Sequence, residues 1–426
     1  MSPFHVVQHR VPAQHIREYP RALLNDQETV LYLDVKQYIP TDNPNPQPGD
    51  VTIIGAHANG FPKELYEPLW GYLLHKAAKY NFRIRSIWIA DAVHQGQSGV
   101  LNEEQLGNDP SWMDHARDLL HLINLKRDQM PLPLIGIGHS MGGNQLVNVA
   151  YIHPRLFTTL ILIDPVIQFQ TIDRPGPNIA QLSTFRRDLW PSRKTASHSF
   201  RSSPFYAKWH PEVFDRWCRY GLRDLPSAIH RLDPHSQGPD PVTLTTTKHQ
   251  EVFTFLRPNY EHEGMNGNPI NRKERPDLNI NPRQLLCFYR PEPAATFLRL
   301  PELRPSVLYL FGGESDVAPP EECALKMKHT GVGVGGSGGA PDGRVESITY
   351  DGIGHLIAME VPERTAEDAA RWIGKELERW RKDEEQHDRE WKSRPRLERQ
   401  TVDAQWKSNI GGPPGRVKPS EKGSKL

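Results

Sequence analysis

The sequence predicts an α/β fold with a mostly parallel central sheet flanked by helices, broken by a largely helical insertion. Three observations carry this. Short apolar runs alternate with helical-period stretches from residue 51 to 163, which calls for a parallel sheet covered on both faces. The alternation stops at Pro165 and resumes at Ser306, which marks an insertion. A glycine-flanked serine, Gly138-His139-Ser140-Met141-Gly142, stands at a predicted strand-to-helix junction. The 426 residues exceed what a single core usually reaches, about 300, so a core with an insertion suits the length.

The elements follow in order. Residues 28–39 are β-branched, aromatic and partly alternating, and predict one or two opening strands, with antiparallel pairing open to them. Residues 40–50, with Pro40, Pro44, Pro46, Pro48 and Gly49, are a turn-rich loop. Val51–Ala56 is a short buried strand, and a helical pattern from Lys63 places Leu65, Leu69, Leu73 and Ala77 on one face. Phe82–Ala90 is a strand. Ser111 with Asp114 three residues on resembles a capping box and opens a helix to about Ile123. Leu132–Ile137 is a strand, Met141–Ile152 a helix and Thr158–Ile163 a strand. The insertion has helical stretches at His210–Arg219 and Pro282–Phe288. Strands return at Ser306–Phe311 and Val345–Tyr350, and a last helix starts near Pro362 and extends past Trp380. The expected organisation is residues 1–164 and 305–382 as the core, 165–304 as a cap, and 383–426 as a disordered charged tail.

Composition narrows the function classes. Lys+Arg total 52 against Asp+Glu 51, which leaves no basic excess for nucleic acid. No apolar run approaches the roughly 18 residues of a membrane span, and Met1 to Pro20 lacks the apolar stretch of a secretory signal. Cys218, Cys287 and Cys323 are odd in number and far apart, so neither a disulfide framework nor a zinc site is expected. No metal and no cofactor are implied.

The chemistry lies in residues at predicted strand ends. Gly138 to Gly142 fits GxSxG, and its strand–turn–helix context is that of a nucleophile elbow, with Ser140 as the nucleophile. Side chains at the flanking glycines would clash with neighbouring backbone in so sharp a turn. The serine needs a base, and His355, after the last strand, takes that place, whereas His139 on the elbow itself should point away from Ser140. The imidazolium needs a carboxylate. Chain order favours Asp316, after the penultimate strand, with Asp164 as the alternative acid and Glu314 a lesser rival. The oxyanion donors expected are the backbone N–H of Met141 and, from the loop His57-Ala58-Asn59-Gly60-Phe61, that of Asn59, with Ala58 next.

Other signals are weaker. Gly331 to Gly336 matches GxGxxG but is neither preceded by a strand nor followed by a helix, so it reads as a surface loop. Arg186-Arg187 could meet an anionic substrate such as a CoA thioester, although such a pair is more often plain surface. Phe200, Phe205, Trp209, Phe214 and Trp217 suit an acyl pocket or the insertion's own core, and core is favoured for most of them. The chain closes on Ser424-Lys425-Leu426, the tripeptide read by the peroxisomal import receptor.

These residues carry a resemblance. The order Ser140, Asp316, His355 with the His57–Phe61 loop resembles the α/β-hydrolase superfamily. Within it, His57-Ala58-Asn59-Gly60-Phe61-Pro62, Trp112 to Asp118, Gly138 to Gly143 and Leu160 to Pro165 look like two fungal groups. One is the yeast peroxisomal lipase. The other, with the closer likeness, is the peroxisomal hydrolases of host-selective toxin biosynthesis of the AK-toxin type. The resemblance spans about residues 15–375. It implies a peroxisomal hydrolase and, for the toxin branch, a part in the biosynthesis of a fatty-acid-derived toxin or secondary metabolite, without fixing the substrate. The expected reaction is attack by Ser140 on the carbonyl of a small acyl ester or thioester. Two other readings remain: acyl transfer by the same triad, and a catalytically idle binding protein of the pathway.

Overall fold

The computed structural model describes residues 2–169, 179–232, 240–264, 267–278 and 287–412. The described residues fall into two compact units, one up to Leu377 and one from Glu378.

The first unit is built on an eight-stranded sheet. Its opening half comprises β1 (Phe4–Pro12), β2 (Tyr32–Pro40), β3 (Val51–Ala56), α1 (Glu67–Ala77), β4 (Ile84–Ala90), α2 (Gly96–Asn102), α3 (Trp112–Leu125), β5 (Leu134–His139), α4 (Met141–Ile152) and β6 (Thr159–Ile163). Between β6 and the next sheet strand lie α5 (Ile179–Phe185), β7 (Leu189–Trp190), α6 (Arg193–Arg201), α7 (Pro204–Ala207), α8 (Pro211–Tyr220), β8 (Leu222–Asp224), β9 (Val242–Leu244), α9 (Lys248–Phe255), β10 (Arg257–Pro258), β11 (Phe288–Tyr289) and α10 (Glu292–Leu298). The sheet resumes with β12 (Ser306–Gly312), followed by α11 (Pro320–His329), β13 (Val345–Tyr350), α12 (Ile357–Glu360) and α13 (Pro362–Ser393), with α14 (Ala404–Ile410) after it.

The strand order is β1-β2-β4-β3-β5-β6-β12-β13. The β1/β2 and β2/β4 pairs are antiparallel and the rest are parallel. Burial explains the sequence pattern. Every residue of the central strands β3, β5, β6 and β12 is buried, so these read as continuous apolar runs. Edge strand β1 has only Phe4 and Val11 buried, and its His, Gln and Arg side chains hid it from a search for apolar runs. α3 starts as expected, with Ser111 Oγ accepting the Met113 N–H at 3.1 Å.

Among the described residues the insertion is helical with two additions, a small antiparallel sheet ordered β7-β9-β8 and the pair β10-β11. Strands of two or three residues are too short for any periodicity to announce them. Of the expected helix at Pro282–Phe288, residues 282–286 lie outside the described residues and Phe288 belongs to β11. Phe200, Trp209, Phe214 and Trp217 are buried against one another, Trp190 and Tyr206, so they form the insertion's own core, and Phe205 is exposed. Several ties join insertion and sheet through main-chain carbonyls. Trp112 Nε1 donates to Thr254 O at 2.8 Å, Asn59 Nδ2 to Glu251 O at 3.0 Å, and His210 N–H to Met359 O at 2.9 Å.

In the second unit a disordered tail from residue 383 is not what the structure has up to residue 412. Helix α13 continues to Ser393, and Asp403 caps α14 by accepting the Trp406 N–H at 2.7 Å. Charges that lower apolar content fall here at helical spacing, as Glu378–Lys382 and Asp388–Lys392, and such i,i+4 pairs favour a helix. The tripeptide 424–426 lies outside the described residues. Among the described residues no helix is long and apolar enough to cross a membrane.

Candidate active site

The sheet register assembles the site. His139 of β5 pairs with Ile163 of β6, Ile163 pairs with Leu310 of β12, and Gly312 pairs with Tyr350 of β13. The residues just past these positions, Ser140, Asp164, Gly313 to Ser315 and Asp351 to His355, therefore share one rim. On the other side of β5, Ala56 of β3 pairs with Gly138, so the loop from His57 lies beside the elbow. This is the carboxyl end of the parallel strands, where open α/β sheets place their ligands.

Ser140 has φ +56° and ψ −117°, a strained conformation for a residue with a side chain. The packing behind it imposes the strain. A Cβ on Gly142 would stand 2.2 Å from the Ala56 carbonyl oxygen, and one on Gly138 would stand 2.7 Å from the Gly142 backbone. Only glycine permits those approaches.

His355 Nε2 lies 2.8 Å from Ser140 Oγ, and its Nδ1 lies 2.6 Å from Asp164 Oδ2. The ring thus joins a hydroxyl on one side to a carboxylate on the other. The carboxylate is Asp164, and here chain order misled. Asp316 is exposed, while Asp164 is fully buried and makes the ion pair with His355. Backbone bonds explain the difference. Gly313 N–H donates to Tyr350 O and Glu314 N–H to Ile353 O, which folds the loop after β12 against the loop after β13. That fold turns Ser315 inward and Asp316 outward. Asp164 Oδ1 accepts the Gly312 N–H at 3.0 Å, and Oδ2 accepts the Ser315 hydroxyl as well as His355 Nδ1–H. Burial pushes the Asp164 carboxyl up, but the bonds from His355, Ser315 and Gly312 outweigh it and hold it below its ordinary value. Glu314, the lesser rival, is exposed and faces Lys208 at 3.5 Å.

His139 points away from Ser140, as expected of the elbow. Its Nδ1 meets the Tyr66 hydroxyl at 2.9 Å and its Nε2 meets the His355 carbonyl oxygen at 3.0 Å. Burial lowers its pKa to about 3, so it stays neutral. Tyr66 bridges two parts of the site, because its oxygen also accepts the Ala58 N–H at 2.9 Å.

That bond bears on the oxyanion loop. Ala58 N–H is engaged by Tyr66, Gly60 N–H by Gln95 Oε1 at 2.8 Å, and Phe61 N–H by Ala58 O at 3.2 Å. Between them, the Asn59 N–H has no hydrogen-bond partner among the described residues. Met141 is the first residue of α4, where backbone N–H groups lack intrahelical partners. Where the loop ends, Lys63 is fully buried, its N–H donates to Asp91 Oδ1 at 2.9 Å and its ammonium reaches Asp91 Oδ2 at 2.7 Å. Sequence reading missed Tyr66, Gln95, Ser315 and the Lys63–Asp91 pair. Only Ser315 had a signal, its place in the glycine-rich turn after β12.

The remaining candidates settle as structure. Arg186 pairs with Glu251 at 2.5 Å, and Arg187 donates to Leu189 O at 2.7 Å and lies over the Trp190 ring. The Gly331–Gly336 segment is a turn-rich loop, with Gly331 N–H bonded to Leu300 O and Gly336 N–H to Gly333 O, and no helix follows it.

Comparison with known proteins agrees with this fold. A family model described as serine aminopeptidase, S33, matches residues 77–213. The type I acyl-CoA thioesterase mpaH' of Penicillium brevicompactum is 41% identical over 437 residues, covering 99% of this chain and 98% of that protein. The Alternaria alternata abhydrolase domain-containing protein AFT2-1 is 28% identical, over 58% of this chain and 85% of that protein. The expected Alternaria likeness is present, and the Penicillium likeness exceeds it. Among solved structures, the Saccharomyces cerevisiae peroxisomal α/β-hydrolase Lpx1 superposes with a TM-score of 0.65 at 19% identity, covering 88% of each chain, which speaks to the fold alone.

Proposed function

The chain belongs to the α/β-hydrolase superfamily and, within it, to the family of the Penicillium mpaH proteins, and we propose that it is a serine thioesterase that hydrolyses acyl-CoA thioesters in secondary metabolism. The observation that carries this reading is the relay Ser140–His355–Asp164, closed at 2.8 and 2.6 Å. Ser140 Oγ attacks the thioester carbonyl while His355 Nε2 takes its proton. Asp164 holds the ring with Nδ1 protonated and balances the imidazolium. The N–H groups of Met141 and Asn59 receive the oxyanion. The imidazolium returns its proton to the leaving thiolate, and water, activated by the same ring, then releases the acid. The insertion serves as a cap over this rim. The name of the 41%-identical relative supports a thioester over an oxygen ester. A peroxisomal address is part of the proposal, supported by Ser424-Lys425-Leu426.

The test uses full-length protein, a fluorophosphonate probe and saturated acyl-CoAs of increasing length, with free thiol as the readout. Labelling and thiol release are expected in the wild type and lost in Ser140→Ala and His355→Ala. A folded wild type that neither labels nor releases thiol sinks the proposal. Free acid as the product separates hydrolysis from transfer.

A further inference from the structure

We propose that Gln95 is a positioning residue for the oxyanion amide, its side chain clamping the Asn59–Gly60 segment so that the Asn59 N–H stays aimed at the developing charge. This deepens the serine-hydrolase reading and rests on it.

An oxyanion donor stabilises the transition state only if it is oriented before the charge appears. Asn59 lies in an irregular loop, so the peptides on either side must be held by something other than a strand or helix. Upstream, the Ala58 carbonyl is held by His57 Nδ1–H at 2.8 Å. His57 Nε2 accepts the Ala92 N–H at 2.9 Å, which leaves its proton on Nδ1. The peptide unit is planar and trans, so fixing the Ala58 C=O turns the Asn59 N–H the opposite way.

Downstream the work falls to one side chain. Gln95 is fully buried, and its amide is engaged at both ends. Oε1 accepts the Gly60 N–H at 2.8 Å, and Nε2 donates to Asn59 Oδ1 at 2.7 Å and to Thr254 Oγ1 at 3.2 Å. The partners settle which end is which. Oε1 faces an N–H, and Asn59 presents its oxygen to Gln95 because its own Nδ2 donates to Glu251 O. The clamp is itself anchored, with Gln95 N–H on Ala92 O at 2.8 Å and Gln95 O accepting the Gly99 N–H at 2.7 Å. A buried, fully satisfied amide network of this kind rigidifies what it touches, and losing one member strands its partners. Through Asn59 and Thr254 the same amide joins the oxyanion loop to α9 of the insertion.

The experiment compares the full-length wild type with Gln95→Leu and Gln95→Glu. The probes are p-nitrophenyl butyrate and a trifluoromethyl ketone. Ser140 Oγ adds to the ketone carbonyl, its proton passes to His355, and the carbonyl electron pair becomes an oxyanion in the hole. In Gln95→Leu, kcat is expected to fall about tenfold to a hundredfold with KM within about twofold, and ketone inhibition to weaken by the same factor. Gln95→Glu keeps an acceptor for the Gly60 N–H and loses the donor to Asn59, and it should fall between the two. A purely structural role lowers the melting temperature and leaves these ratios alone. If Gln95→Leu does not fold, Asn59→Ala removes the acceptor, keeps the backbone N–H and should show the same split. A folded variant with wild-type kcat and wild-type ketone inhibition overturns the clamp alone. A wild type inert toward both probes overturns the clamp and the hydrolase reading together.

Discussion

The ends of β6 and β12 lie side by side on one sheet, each followed by a carboxylate, and only one carboxylate reaches the imidazole. Asp164 follows β6 directly, is fully buried and collects bonds from Gly312 N–H, the Ser315 hydroxyl and His355. Asp316 follows β12 after three intervening residues and faces solvent. The β12 turn still contributes, by supplying donors in place of the acid. A buried carboxylate is tolerated where hydrogen bonds offset its desolvation, so the acid stands where donors converge.

Substitutions at the two ends test that contrast. The largest effect is expected from Asp164→Asn, which should lower kcat for acyl-CoA hydrolysis about 10⁴-fold, while Asp316→Asn stays within about twofold. Equal losses at both positions would erase the distinction. Ser315→Ala removes one bond to the Asp164 carboxylate. Such bonds contribute about 1.5–3 kcal/mol, so a fall in kcat of roughly tenfold or more is expected, with KM little changed.

Acid stability gives a third comparison. The folded Asp164 carboxyl lies below its unfolded value of about 3.9, so its contribution is present above that pH and is lost as pH falls through the lower folded value. Urea melts at pH 6 and pH 3 should show a larger drop for the wild type than for Asp164→Asn. Identical drops would mean that the carboxylate is not specially held. The smallest effect belongs to the exposed pair Glu314–Lys208, where Glu314→Gln should change stability by less than about 1 kcal/mol and leave the rate unchanged.

How much was legible follows from the kind of constraint each residue obeys. Ser140 was legible because the elbow needs small residues at Gly138 and Gly142 for steric reasons that composition displays. His355 was legible because the strand alternation places the loop after β13 beside Ser140. The acid was not, since Asp164 and Asp316 both end sheet strands and the decision rests on backbone donors that residue types do not reveal. Gln95 was hidden more deeply, because a glutamine becomes a clamp only when the chain returns to meet it. Strand β1 escaped because an edge strand need not be apolar, and the helix past residue 382 because its charges read as solvation before they read as spacing.

The carbonyl ties between insertion and sheet bear on how this molecule tolerates change. A main-chain oxygen is the same whatever side chain its residue carries. The bonds to the oxygens of Thr254, Glu251 and Met359 therefore persist through substitution at those three positions, provided the backbone path is kept. The insertion can in this way change its side chains without loosening its hold on the sheet. Its attachment is thus separate from its side-chain identity, and if it serves as the proposed cap, it is the natural place for a library that seeks a new substrate.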